Sequence, residues 1–152
     1  MAIFEQPVAE RPRAGFGAAR WLLRILLSLI ALVAALQPVS IGQYLDGRYA
    51  LLEMHSGVAT GAEMLALLLI PAVIWYLLVG GRSWVLFTLL LSVAIEVQAL
   101  MGYVRVLAVH IPLGVAVVGG TIGLAIWSWT PSSGRYRPRR ARPADKPKVA
   151  VG

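Results

Sequence analysis

The chain has 152 residues, of which 59% are hydrophobic and only 14% charged, and its formal net charge is +7. A soluble domain averages about 45–50% apolar and about 25% charged residues, and so small a fold hides too little surface for this composition, so a single water-soluble domain is excluded. Cysteine is absent, which removes disulfides, thiolate metal sites, iron–sulfur clusters and a cysteine nucleophile.

Residues 1–17 are polar and read as a short cytoplasmic segment. The first apolar run covers about 21–42, after Arg11, Arg13 and Arg20 and with Arg24 in its first turn. Its small residues Ala31, Ala34 and Ala35 look like a signal-peptide cleavage site. However, Glu5 and Glu10 lie in a long approach, and the run continues to Gly42, so a retained span is expected. The second run covers 55–79 and contains Pro71, which predicts a kink. The third covers 83–102. The fourth covers 110–129, with Pro112 expected in its first turn, where proline is tolerated. Each run reaches the ~20 residues that a helix needs to cross a ~30 Å hydrocarbon core. Without water at mid-depth, helices are the economical spanning backbone here.

Residues 131–152 form a Pro-rich basic tail, expected to be disordered. Its seven cations suit contact with an anionic leaflet. Tyr136 is its one aromatic, too little for base stacking, so nucleic acid is not an expected partner. Twelve of the fourteen Lys and Arg residues lie in the termini or at Arg82, and only Arg48 and Arg105 lie in the other two connections. This asymmetry predicts cytoplasmic termini in the plasma membrane. The expected fold is all-α: an integral membrane four-helix bundle over 18–130.

The chain also carries an internal echo. Span one closes with Gln37 and Gly42, followed by Arg48, His55 and Gly57. Span three closes with Gln98 and Gly102, followed by Arg105, His110 and Gly114. The same order twice reads as two pseudo-repeated helical hairpins.

His55 and His110 are the only histidines, and each opens an even-numbered span. In a four-helix bundle such spans face each other across the core. Two imidazoles at one depth on facing helices can ligate a haem iron from both sides. Ala59 and Gly114, each four residues beyond a histidine, leave room for a flat macrocycle. Small residues of this kind also serve close helix packing. Arg48 and Arg105 are candidates to meet the anionic propionates. Glu63 and Glu96 lie at intramembrane depth, where ionisable groups are costly and face the bundle interior. They are candidates for a proton relay, for a hydrogen bond that tunes a histidine ligand, or for a neutral interhelical bond.

The strings Glu96-Val-Gln98-Ala-Leu-Met-Gly102 and Val109-His110-Ile-Pro-Leu-Gly114 resemble small four-span integral membrane proteins of actinobacteria, a group of unknown function. Leu36-Gln37, Gly42-Gln43 and Met54-His55-Ser-Gly57 add to this, so that the resemblance covers about 18–129. More distantly, the same order is similar to one half of haem A synthase, a four-helix b-type haem membrane protein. The resemblance implies that His55 and His110 are the haem ligands and that Glu53 matches the family's glutamate. Here Met54 alone separates Glu53 from His55, where the family has two residues, and Ser56 follows where the family has Arg. One four-helix half implies haem ligation rather than haem A synthesis.

The leading expectation is therefore a protein that binds haem b with bis-His ligation near the outer membrane face, for electron transfer or for haem or redox handling. The alternative is a cofactor-free membrane subunit or scaffold of a larger complex. Expected partners are the lipid bilayer, a membrane redox partner or quinone, and a second copy of the chain. A cytoplasm-only reporter fused after Gly152 should be active, and one inserted at Asp46 should be silent. An active reporter at Asp46 would invert the orientation.

Overall fold

The structure is a computed structural model, and it describes residues 12–81, 85–134 and 136. Most of the basic tail, together with Arg11 and Arg82, lies outside the described residues. Four helices follow one another: α1 Phe16–Leu45, α2 Leu51–Leu78, α3 Leu86–Tyr103 and α4 Leu107–Ser128, with a short 3₁₀ turn at Pro131–Gly134. All four are long and apolar enough to cross a membrane.

The helices overrun the apolar runs. α1 is 30 residues long, or roughly 45 Å at 1.5 Å per residue, so its ends reach beyond the hydrocarbon. α4 begins at Leu107, earlier than its apolar run, because Val109 and His110 donate back to the Val106 carbonyl. Pro112 is therefore the sixth helical residue, not a first-turn residue, and it removes one helical hydrogen bond.

Three helices end alike. After α1, Gly47 donates to Tyr44 and Arg48 to Gln43; after α2, Gly80 donates to Leu77 and Gly81 to Tyr76; after α3, Arg105 donates to Gly102 and Val106 to Met101. Each is a Schellman end, which satisfies the orphan carbonyls through one left-handed residue. Glycine fills that position twice, with φ 90° at Gly47 and 101° at Gly80, but Arg105 fills the third at φ 58°. A side chain in that conformation costs about 1 kcal/mol or more.

The short connections make consecutive helices antiparallel. α1 packs on α2, α2 on α3, α3 on α4 and α4 back on α1, which closes a ring. α2 and α4 then lie on one diagonal. The chain termini share one end of the bundle, called here the terminal end; the connections after α1 and α3 form the loop end.

Packing is uneven along the axis. On α2 the buried positions Ala62, Ala66, Leu69, Val73 and Tyr76 recur at spacings of four and three, the seam of a coiled coil. Leu23, Leu27 and Ile30 of α1, Leu91 and Ile95 of α3 and Val117 and Ala125 of α4 meet this seam. Nearly all of the core lies in the terminal half. Towards the loop end the buried positions among the described residues are the small Ala34, Ser40 and Ala62, with Ile95 and Val117 at mid-span, and a space between the helices is left unfilled. Outward-facing residues such as Leu32, Leu68, Phe87 and Ile126 are exposed and apolar, as lipid contact requires.

The terminal end is closed by polar caps on helix C-termini. Arg13 donates to the Leu78 carbonyl at 2.6 Å, and the Arg24 Nε donates to the Ser128 carbonyl at 2.8 Å. Both satisfy carbonyls that a helix leaves orphaned, at its negative pole. Tyr76 donates to Ser133 at 2.7 Å, and Phe16 stacks on Tyr76 at 5.5 Å.

Leu27 is 0% exposed and Leu32 is 61% exposed. Leu27→Ala should destabilise the bundle by about 2–4 kcal/mol through a core cavity, and Leu32→Ala by less than about 0.5 kcal/mol. Reversible unfolding in mixed micelles checks this contrast; equal losses would mean that Leu32 does not face lipid.

Candidate functional site

The unfilled loop-end half is a cavity of about 330 Å³. All four helices line it: Ala34 and Gln37 from α1, His55, Ala59 and Ala62 from α2, Ile95, Gln98 and Ala99 from α3, and His110, Gly114 and Val117 from α4, among others. The lining is apolar apart from two histidines and two glutamines. From His55 to Ala62, or from His110 to Val117, it runs roughly 10 Å along the helices. Its exposed lining residues, Pro38, Ile111 and Val115, belong to α1 and α4, so it opens sideways between those helices.

The two histidines meet in this cavity. Their ring centroids are 6.4 Å apart and their planes cross at 72°. Diagonal α2 and α4 present them from opposite sides, and the small residues Ala59 and Gly114, one turn further along, keep the space beneath them open.

Each ring is held by a glutamine of the preceding helix. The His110 Nδ1–H donates to the Gln98 carbonyl at 2.8 Å, and the Gln98 Nε2 lies 3.4 Å from His110 Nε2. A ring whose Nδ1 is committed to a carbonyl keeps its lone pair on Nε2, the tautomer suited to metal ligation. At His55, the Gln37 amide lies on the Nδ1 side. In the orientation that satisfies its hydrogen bonds, Gln37 donates to His55 Nδ1 at 2.6 Å and to the His55 carbonyl at 3.2 Å, and accepts from the Ala59 N–H at 2.9 Å. Ser40 Oγ stands 3.1 Å from the same Nδ1. With Nδ1 accepting, the neutral His55 ring carries its proton on Nε2, which has no partner among the described residues.

Close approach explains two glycines. A Cβ on Gly102 would stand 2.7 Å from the His110 ring, and one on Gly114 would stand 2.7 Å from the Gln98 amide nitrogen. Gly42 and Gly57, at the matching places of the first hairpin, face open space.

The other sequence candidates stand apart from the cavity. Arg48 is exposed and donates to the Gln43 Oε1 at 3.0 Å. Arg105 is exposed in its left-handed turn. Neither lines the cavity. Glu63 and Glu96 are half-buried on α2 and α3 and lie within Coulombic reach of each other, but no hydrogen bond joins either of them to a histidine among the described residues. The position beside the rings that the sequence offered to a glutamate is taken by Gln37, Ser40 and Gln98. Gln37 and Gln98 are visible in the sequence as the first members of the echo, Gln98 also as a hydrogen-bond partner for an intramembrane Glu, but neither as the partner of a histidine; Ser40 carries no sequence signal. Glu96 keeps a buried oxygen without a partner, as does the Gln98 Oε1 in the cavity wall. Among the described residues no three His, Cys, Asp or Glu side chains gather as a metal-binding group.

Comparison with known protein families, with curated proteins and with solved structures finds no match.

Gly102→Ala should displace the His110 ring and destabilise the protein by about 1–3 kcal/mol. Gly42→Ala, in open space on the paired helix, should be neutral or slightly stabilising. Thermal unfolding of the two variants in detergent checks the difference, and an undisturbed Gly102→Ala protein would mean that the ring sits elsewhere.

Proposed function

We propose that the protein is a b-type haem-binding membrane protein in which His55 and His110 are the two axial ligands. One observation carries this reading: the 6.4 Å between the ring centroids. An iron–nitrogen bond of about 2 Å, by analogy with zinc–imidazole bonds, and about 1.2 Å from nitrogen to ring centre place two coaxial rings about 6–6.5 Å apart. The rings already stand at that separation, on opposing helices, at the head of an apolar cavity. The residues present fit the group. His110 has the tautomer that keeps its lone pair on Nε2, where the Gln98 amide stands at 3.4 Å. At His55 the Gln37 amide donates to Nδ1, so ligation through Nε2 would use the other tautomer, with Nδ1–H donating to Ser40 Oγ. The small residues Ala59 and Gly114 line the space beneath. When bound, haem would supply one-electron chemistry.

The protein's own part is to hold the rings, exclude water and set the polarity around them. Gln98 orients His110, and Gln37 with Ser40 orients His55. The two Gln–His pairs hold their rings differently: Gln98 accepts the His110 Nδ1–H through its backbone carbonyl, and Gln37 donates to His55 Nδ1 through its side-chain amide. Arg48 and Arg105 flank the loop end, where anionic propionates would emerge. Arg105 keeps a charged side chain in a conformation that favours glycine, the kind of local cost that marks a functional position. The charge asymmetry orients this end to the outer face of the plasma membrane, with both termini cytoplasmic. Electron transfer there, to a membrane redox partner or a quinone, is the role that this arrangement serves.

Haem titration in detergent, read from the reduced α-band, tests the assignment. His55→Ala and His110→Ala should each abolish or broaden the low-spin Soret band. Arg48→Ala and Arg105→Ala should weaken it less, since an exposed charge pair is worth about 0–1 kcal/mol. Glu63→Gln should leave ligation intact. If the wild type binds no haem, or both histidine variants bind it equally well, the histidines are structural and a cofactor-free scaffold is the remaining reading.

A further inference from the structure

We infer that Arg20 and Arg24, at the terminal end of α1, form a binding site for the phosphate group of an anionic phospholipid. The inference is independent of the histidine cavity, which lies in the other half of the bundle.

Tryptophan sets the depth of this site. All five tryptophans of the chain, Trp21, Trp75, Trp84, Trp127 and Trp129, belong to the terminal-end parts of the sequence; Trp84 lies outside the described residues. Tryptophan concentrates at the headgroup level, where its ring is in the apolar layer and its N–H reaches polar groups. Trp21 and Trp129 pack edge to face at 5.4 Å and both are exposed. The Arg24 guanidinium sits against both rings, 5.4 Å from the centre of Trp21 and 4.8 Å from that of Trp129. It therefore lies at the level of the lipid phosphates.

The charges here have no partner in the described protein. Arg24 is only 9% exposed, and its Nε bond to the Ser128 carbonyl satisfies one donor without neutralising the cation. Arg20, one helical turn earlier, lays its guanidinium over Gly134, and its buried Nε has no hydrogen-bond partner. The acids of the described chain are Asp46, Glu53, Glu63 and Glu96, which belong to the loop end or to the middle of α2 and α3. Two cations one turn apart repel each other, and a cation taken out of water without a counter-charge is costly. An anion between them removes both costs. Guanidinium forks match phosphate oxygens in pairs, and at this depth the bilayer supplies phosphate at high local concentration.

The neighbouring surface favours a lipid over a free ion. Ile25 and Ile126 are exposed on α1 and α4 beside the site, an apolar track on which acyl chains can lie. A net-negative headgroup suits a doubly cationic site better than a zwitterionic one.

The test uses the full-length protein, stripped of lipid in detergent, with phosphatidylglycerol, phosphatidylcholine or inorganic phosphate added. Lipid adducts are counted by native mass spectrometry, and protection is measured by thermal unfolding. The wild type should retain phosphatidylglycerol at least tenfold more than phosphatidylcholine, and inorganic phosphate should give no protection. Arg20→Gln, checked for retained helix content, should lose that preference, and Arg13→Gln, at the end of α2, should keep it. Equal retention of the two lipids by the wild type overturns the site without reliance on any variant. Unchanged preference in Arg20→Gln also overturns it. Protection by inorganic phosphate equal to that by phosphatidylglycerol overturns the lipid assignment.

Discussion

The unfilled space between four small-residue helix faces governs this bundle. Ala34, Ala59, Ala99 and Gly114 stand where a packed core would carry Leu or Ile, and the helices are held at their spacing by the dense seam in the other half. Interiors normally fill to crystal-like density, because each void forfeits dispersion contacts. A cavity of about 330 Å³ in so small a bundle is thus a costly feature. It is tolerated because the terminal half supplies the stability: α2 contributes a four-three seam there, Tyr76 ties the end of α2 to the turn after α4, Arg13 ties it to the chain before α1, and Arg24 ties α1 to the end of α4.

The two ends divide the work. The terminal end binds helix C-termini through Arg13 and Arg24 and clusters Phe16 with Tyr76. The loop end leaves the imidazoles facing a laterally open chamber. The opening lies between α1 and α4, the first and last helices, which no short connection joins. That seam can widen without straining a turn.

Polar groups are scarce in the spans, so each has a traceable partner or a traceable lack of one. The histidines are satisfied by amides and a hydroxyl, neutral groups that orient a ring without adding charge to a low-dielectric site. Glu63 and Glu96 form a separate polar locus between α2 and α3, with no hydrogen bond to the histidines among the described residues. A role for them in proton movement would therefore be separate from ring orientation.

Much of this was legible in the chain. Four apolar runs, each long enough to span a bilayer, dictate four helices, because lipid leaves the backbone no other way to satisfy its hydrogen bonds. Short connections dictate antiparallel neighbours, and so the diagonal on which both histidine-bearing helices lie. Of the repeated Gln–Gly–Arg–His–Gly order, both glutamines, both histidines and Gly114 line the cavity, while the arginines and the other glycines do not. The pairing of glutamine with histidine was not legible. Gln37 and Ser40 of α1 both meet His55 Nδ1, and Gln98 reaches His110 because Gly102 and Gly114 carry no Cβ to block the approach. Helix boundaries also escaped the hydropathy pattern, since the helical hydrogen bonds of α4 start before its apolar run does. The composition and charge of the sequence by themselves determined a membrane-spanning helical chain. The distance between two rings more than fifty residues apart depends on how neighbouring helices interlock, which one-dimensional periodicity does not encode, and only the tertiary structure decided it.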